Sequence, residues 1–290
     1  MNQRYFYILV LSFLGLFLSC SKLDTIEYSP KLTPESFLST QHWMRIQFGN
    51  FNFVLSQPSS SLIVYFVSLF DIYIAYRFYQ TIQNQKSRLY WAIGLFMTGA
   101  GALLAGTSYQ AFGYEIKCNG REFCTWTSWW EINYAFLSGL GMNAFLLGAS
   151  HSNATGSFRK GIQTYAVVNA VLYSILLYFG AFTANWFLVS FEFLSLSSTP
   201  SVFFFIWLYG RDYKKEKSQA NLYLRNTWII LVAVIVIYAI YLIAGITAPL
   251  WKMGIWFTEN DILHVGMIYW VYYIGKNLLK EVKDVEANKN

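Results

Sequence analysis

Ionisable side chains are expensive in hydrocarbon, so those inside apolar runs are the first residues to weigh for chemistry. This chain has few of them. Asp71 lies midway along one apolar run, Glu131 opens a later one beside Trp129 and Trp130, and Glu192 sits among Phe191, Phe193 and Leu194. Asp261 and His264 open the last run, and Ser108 and Gln110 end the second. Asn260 lies four residues before His264 and Asp261 three, and on a helix either spacing shares a face. An imidazole held beside a carboxylate can serve as a general base, or as a metal ligand whose tautomer the carboxylate sets. His264 and Asp261 are the candidates for that chemistry, with Ser108, Gln110 and Glu131 as the polar groups nearest in expected depth. Asn260, Glu192 and Asp71 are further polar groups at membrane depth. A plain structural reading stands beside this one. Thr258, Asn260 and Asp261 are ordinary helix-start residues, Glu131 can face headgroups, and Gln110 can be a solvated helix end.

The elements that must position these residues are long apolar helices. The chain of 290 residues is 56% hydrophobic and only 12% charged, about half the charge of a soluble domain. Spans of about 20 apolar residues are expected near 61–80, 90–112, 130–150, 161–182, 186–208, 227–248 and 261–279, all helical because unpaired backbone groups are not tolerated against lipid. Fourteen of the 21 Lys and Arg residues fall in every second gap or in the C-terminal tail: Arg77, Lys86 and Arg88; Arg159 and Lys160; Arg211, Lys214, Lys215, Lys217 and Arg225; Lys276, Lys280, Lys283 and Lys289. The other gaps hold only Lys117, Arg121 and Lys252. The positive-inside rule then gives a seven-helix, all-α membrane bundle with its N-terminus outside and its C-terminus cytoplasmic, in a bacterial inner membrane. The net charge of +6 is explained by topology, and nucleic acid is excluded as a partner because no basic stripe lies on a soluble domain. With these directions Ser108, Gln110, Glu131, Glu192, Asp261 and His264 all fall in the outer layer. Glu192 is expected about 9 Å into its helix, counting from Trp186 at ~1.5 Å per residue, and Asp71 lies deeper. Gly99, Gly101 and Gly106 suit close helix packing.

Residues 1–20 combine Arg4, an apolar core and Ser19–Cys20. They read either as a cleaved export signal, with lipidation at Cys20, or as an uncleaved anchor helix. Residues 21–58 are expected to form a loose extracytoplasmic arm or a short cap, 59–280 the transmembrane domain and 281–290 a cytoplasmic tail. Cys118 and Cys124 share an outer loop, where a disulfide is permitted. A metal pair is the alternative, although zinc pairs are usually spaced more closely.

A polar group ending the second span, an acid opening the third and the stretch Asn260-Asp261-Ile262-Leu263-His264-Val265-Gly266-Met267 opening the seventh resemble the CREST superfamily of ceramidase-like membrane proteins, in particular an uncharacterised bacterial branch. The resemblance covers the layout of about 61–280, with residue identity in that one stretch. It implies an intramembrane zinc site hydrolysing an amide or ester of a membrane lipid, with His264, Glu131 and Asp261 as the candidate zinc set and His264, Asp261, Ser108 and Gln110 as the candidate catalytic set: base or ligand, orienter, and two donors for a developing oxyanion. Ser108 matches the family's serine, Glu131 its acid and His264 the later histidine of its pair. Asn260 stands where the earlier histidine is expected, and Gln110 or Phe112 stands for the histidine of the second span. The chain has three histidines, His42, His151 and His264, and neither of the first two falls within a span beside the third. Three functions follow for this layout: a zinc-dependent lipid hydrolase, a non-catalytic lipid-binding or receptor-like scaffold, and a proton-coupled transporter using Asp71 and Glu192.

Overall fold

A computed structural model describes residues 22–285. The expected leader and Cys20 lie outside the described residues, as does the end of the tail. A 3-10 turn at Leu23–Thr25 is followed by α1 (Pro34–Ser39), β1 (Trp43–Phe48) and β2 (Phe51–Ser56). The long helices are α2 (Pro58–Gln80), α3 (Lys86–Ala105), α5 (Trp129–Asn153), α6 (Gly156–Thr183), α7 (Phe191–Glu216), α8 (Gln219–Ile243) and α10 (Glu259–Asn277). Two short helices, α4 (Gly113–Lys117) and α9 (Thr247–Lys252), lie in the connections. A π turn, Gly106–Ala111, extends α3, closed by the Phe112 N–H donating to the Thr107 carbonyl at 2.8 Å.

The helix starts follow from local chemistry. Ser190 caps α7 by accepting from the Phe193 N–H at 3.2 Å. Thr258 and Asp261 form a reciprocal capping box on α10, and Pro58 opens α2, where its missing N–H costs nothing.

Among the described residues, six helices are long and apolar enough to cross a membrane: α2, α3 with its π turn, α5, α6, α7 and α8. The seventh expected span corresponds to α10, which has 19 residues and carries Glu259, Asp261 and Lys276. At ~1.5 Å per residue it is about 28 Å long, close to a hydrocarbon thickness of about 30 Å. The face of α6 formed by Val167, Val168, Val171, Leu172, Ile175 and Phe179 is exposed, far more apolar surface than a water-soluble monomer presents. This is the build of a multi-pass helical membrane protein.

The packing order explains where a site can form. α2 packs on α3, α3 on α5, α5 on α7, α7 on α8, α8 on α10, and α10 returns to α2. Six helices thus close a ring, with α6 outside it against α5. Successive helices alternate in direction. One end of the ring, the hairpin end, carries the start of α2 and the disulfide-closed loop between α4 and α5 (the outer loop of the expected topology); the other, the basic end, carries the α7–α8 turn. The half toward the basic end is filled by aromatic rings: Phe205 stacks on Trp228 at 4.0 Å, and Trp91 meets Phe145 at 4.9 Å. The Trp270 Nε1 hydrogen is satisfied by the Thr227 carbonyl at 2.9 Å.

The stretch expected to be a loose arm or a short cap carries, within residues 22–58, a short helix and a hairpin, so the fold is not purely α. β1 and β2 pair antiparallel from Trp43↔Ser56 to Phe48↔Phe51, with Gly49 at φ +56 turning the corner. Aromatic and branched residues stabilise such a hairpin once one end is anchored. Here Glu115 on α4 accepts from the Val54 N–H at 2.7 Å. The preceding stretch is laced to the outer loop through Cys124 N–H to the Leu32 carbonyl at 2.8 Å and Trp126 N–H to the Ile26 carbonyl at 2.7 Å. Cys118 and Cys124 are joined by a disulfide, which closes that loop covalently.

Candidate functional site

The polar residues singled out from the sequence divide into three separate environments. The first lies beneath the disulfide. The Glu131 Oε1 accepts from Ser108 Oγ at 2.8 Å and from the Lys117 ammonium at 3.0 Å. The Ser108 and Ser128 hydroxyls are 2.7 Å apart. Lys117 and Glu131 are only 3% and 2% exposed, and the ammonium also lies over the Tyr109 ring at 5.1 Å. Burial by itself would lower the Lys117 pKa, but Glu131 and Tyr28 together outweigh it and hold the ammonium above its ordinary value. Sequence reasoning placed Lys117 in the outer loop as a topology marker and missed this role. A lysine next to the half-cystine Cys118 was the signal that it would be pulled inward. Gln110, expected as a solvated end or an oxyanion donor, is buried in the π turn and joins none of these groups.

The second environment is the start of α10. Asp261 is fully buried. Its Oδ1 accepts from Ser60 Oγ at 2.9 Å and its Oδ2 from the Thr258 N–H at 2.6 Å. Asn260 donates to Gln57 Oε1 at 3.4 Å. Asp261 therefore ties α10 to the start of α2 and does not orient His264, contrary to the expectation from their three-residue spacing. The carboxylate is taken by the cap and by a neighbouring helix.

The third environment is a cavity of about 460 Å³ in the centre of the ring. All six ring helices line it, through residues such as Asp71, Thr98, Ser138, Ser198, Trp228 and His264. Its wall is apolar apart from these groups, Tyr134 and a hydroxyl track on α7. Asp71 is 1% exposed, and its Oδ1, the His264 Nδ1 and the Trp228 Nε1 are buried with no hydrogen-bond partner among the described residues. Gly99 makes the approach of Asp71 possible. A Cβ there would sit 2.8 Å from the Asp71 Cβ and 2.9 Å from the Ser68 carbonyl, and Ser68 Oγ donates to the Gly99 carbonyl at 2.7 Å. The lining residues that are also exposed, including Phe191, Phe203, Ile235 and Val236, belong to α7 and α8. The cavity therefore opens sideways between those two helices. They stay together toward their connecting turn, where Phe205 stacks on Trp228, and Pro200 lies inside α7 within the mouth stretch.

These placements correct two expectations. Helix α7 begins at Phe191, because Trp186–Val189 form turns, so Glu192 is an exposed acid in the first helical turn and not a carboxyl one or two turns inside. The candidate zinc set does not assemble. Glu131 is engaged by Lys117 and Ser108, Asp261 by Ser60 and Thr258, and His264 faces the cavity with Asp71. No group of three or more His, Cys, Asp or Glu among the described residues is placed to hold a metal ion, so the donors present do not fit zinc. The other two histidines stay apart from this site. His42 packs between Trp251 and Trp256 at ring distances of 4.3 and 4.7 Å, and His151 stacks on Tyr90 near the start of α3.

No curated protein and no solved structure matches the chain. A family of unknown function, DUF6962, matches residues 59–281, a stretch that takes in every helix of the ring and leaves out the hairpin. The chain belongs to that family.

Proposed function

We propose that this protein binds an amphiphilic membrane lipid in the central cavity of a seven-span bundle, α10 being the seventh span, with the hairpin end outside and the basic end in the cytoplasm of a bacterial inner membrane. The observation that carries the reading is the cavity itself: it is apolar, opens between α7 and α8 on the lipid-facing surface, and has three buried polar atoms without partners. Buried polar groups are ordinarily satisfied, and a mostly apolar pocket with a few convergent polar groups is the usual form of a small-ligand site. The distribution of Lys and Arg supports the orientation, and the disulfide at the hairpin end fits an oxidising exterior.

The hydrolase implied by the ceramidase-like resemblance needs His264, Glu131 and Asp261 to converge, and they occupy three environments. A binding role needs only the cavity. A proton-coupled transporter loses one of its two acids, since Glu192 is exposed at a helix end.

Filling the cavity tests the proposal. Ala102 lines it from α3 and is half-buried. In native mass spectrometry of the detergent-purified full chain, the wild type should retain a lipid adduct. Ala102→Phe should lose most of it while keeping a melting temperature close to wild type. Equal adduct occupancy in both proteins would defeat the reading.

A further inference from the structure

The charge pattern around the cavity goes further than its shape. Among the described residues no Lys or Arg lines it, and its one carboxyl is Asp71. Two more acids stand at its hairpin end. Tyr238 on α8, two residues beyond the mouth residue Val236, lies within electrostatic reach of both Glu192 and Glu259. Tyr134, which lines the cavity, lies within reach of Tyr238. Lys117, on the neighbouring α4, is already committed to Glu131.

On α7, Glu192, Ser195 and Thr199 follow at three and seven residues and share one helix face. Ser195, Ser198 and Thr199 line the cavity. This track runs from an exposed acid at the rim down the wall of the mouth. Asp71 is 13 residues from the start of α2 and Phe203 is 12 from the start of α7. At ~1.5 Å per residue both lie about 18–20 Å from the hairpin end, so Asp71 sits level with the deep edge of the mouth.

Inside the cavity an anionic head would meet the Asp71 carboxyl and no Lys or Arg among the described lining residues. A cation would meet a graded path: rim acids, then hydroxyls, then a buried carboxyl oxygen with no partner. A buried carboxylate is costly until it is paired and hydrogen-bonded, and a charged N–H donor is the stronger partner for it. The volume of about 460 Å³ is at the low end of ligand pockets, about 300–1,000 Å³, and suits a head with part of one chain.

We infer that the ligand is a single-chain amphiphile with a cationic amine head, which descends the α7 track head first and seats its ammonium on Asp71, its chain leaving between α7 and α8 into the hydrocarbon. The inference rests on the cavity being the lipid-binding site and adds the chemical class of the ligand.

The test compares three probes of equal chain length, dodecylamine, dodecanol and dodecanoate, titrated against the detergent-purified full-length protein after delipidation. Bound adducts are counted by native mass spectrometry. Dodecylamine should bind about tenfold more tightly than dodecanol, the strength expected of one charge-assisted hydrogen bond, with dodecanoate weakest. Asp71→Asn should erase the advantage of dodecylamine over dodecanol. The wild-type ranking stands as a test by itself if Asp71→Asn does not fold. Dodecanoate binding as well as dodecylamine, or an amine advantage that survives Asp71→Asn, would overturn the inference. Equal affinity for dodecanol and dodecylamine would also overturn it while leaving a lipid-binding cavity in place, whereas failure of all three probes to bind would remove both.

Discussion

At the scale of single residues, the Lys117–Glu131 pair is the feature with the largest expected energetic consequence. Two opposite charges buried at 3.0 Å add little net stability relative to a well-packed apolar pair, but removing one partner leaves the other stranded. Lys117→Met should therefore lower the stability of the detergent-solubilised protein by about 3–5 kcal/mol. The double variant with Glu131→Gln should recover most of that loss. The check is a melting curve of the wild type, both single variants and the double variant. Additive losses in the double variant would show that the two side chains act independently. The pair also explains how the outer loop is held: Lys117 precedes Cys118, so the disulfide and the ion pair pin the same few residues over the start of α5.

At the scale of elements, the C-terminal segment after α10 is strapped across the basic end. Arg88, at the start of α3, donates to the Val282 carbonyl at 2.7 Å, the Lys280 carbonyl at 3.1 Å and the Thr81 carbonyl at 2.6 Å. Asp284 supplies the missing cap of α3, accepting from the Lys86 and Ser87 N–H groups at 2.9 and 2.8 Å. Partial burial would raise the Asp284 pKa, but these N–H groups and the nearby His151 outweigh it and hold the carboxyl below its ordinary value. A depressed folded-state pKa contributes stability above the unfolded value, about 3.9 for Asp, and that contribution is lost as pH falls through the folded value. Asp284→Asn should lower the melting temperature at neutral pH by about 2–4 °C, the shift for a helix cap worth about 1 kcal/mol. The gap between wild type and variant should hold down to about pH 5 and close below about pH 4. A gap that persists unchanged at pH 3 would mean that the charge of Asp284 contributes nothing. The same strap shows why counting basic residues gives direction but not role. Arg88 counts as a positive-inside residue, yet it is buried and satisfies the backbone of the tail.

At the scale of the whole molecule, the proposed orientation has a direct check. In a Cys20→Ser background, Asn50→Cys at the exposed hairpin turn should react with a membrane-impermeant maleimide in intact cells. Lys215→Cys at the end of α7 should react only after permeabilisation. The reverse pattern would invert the bundle. Much of this architecture was legible along the chain. The apolar runs located the long helices, Thr258 and Asp261 marked the start of α10, and the two cysteines marked a closed outer loop. Of the polar residues singled out, Asp71 and His264 line the cavity and Ser108 bonds to Glu131, while Glu192 is exposed at a helix start and Gln110 joins neither group. Their grouping was not legible. Helices apolar on every side carry no periodic signal to say which face turns inward, so the spacing of Asp261 and His264 could not reveal that one caps a helix while the other lines the central cavity with Asp71. What the sequence determined by itself was which segments leave water and which side chains go with them, because transfer into hydrocarbon depends on local composition. What only the tertiary structure decided was which of those side chains meet, because that depends on the rotation of each helix and on the order in which six of them close around a common centre.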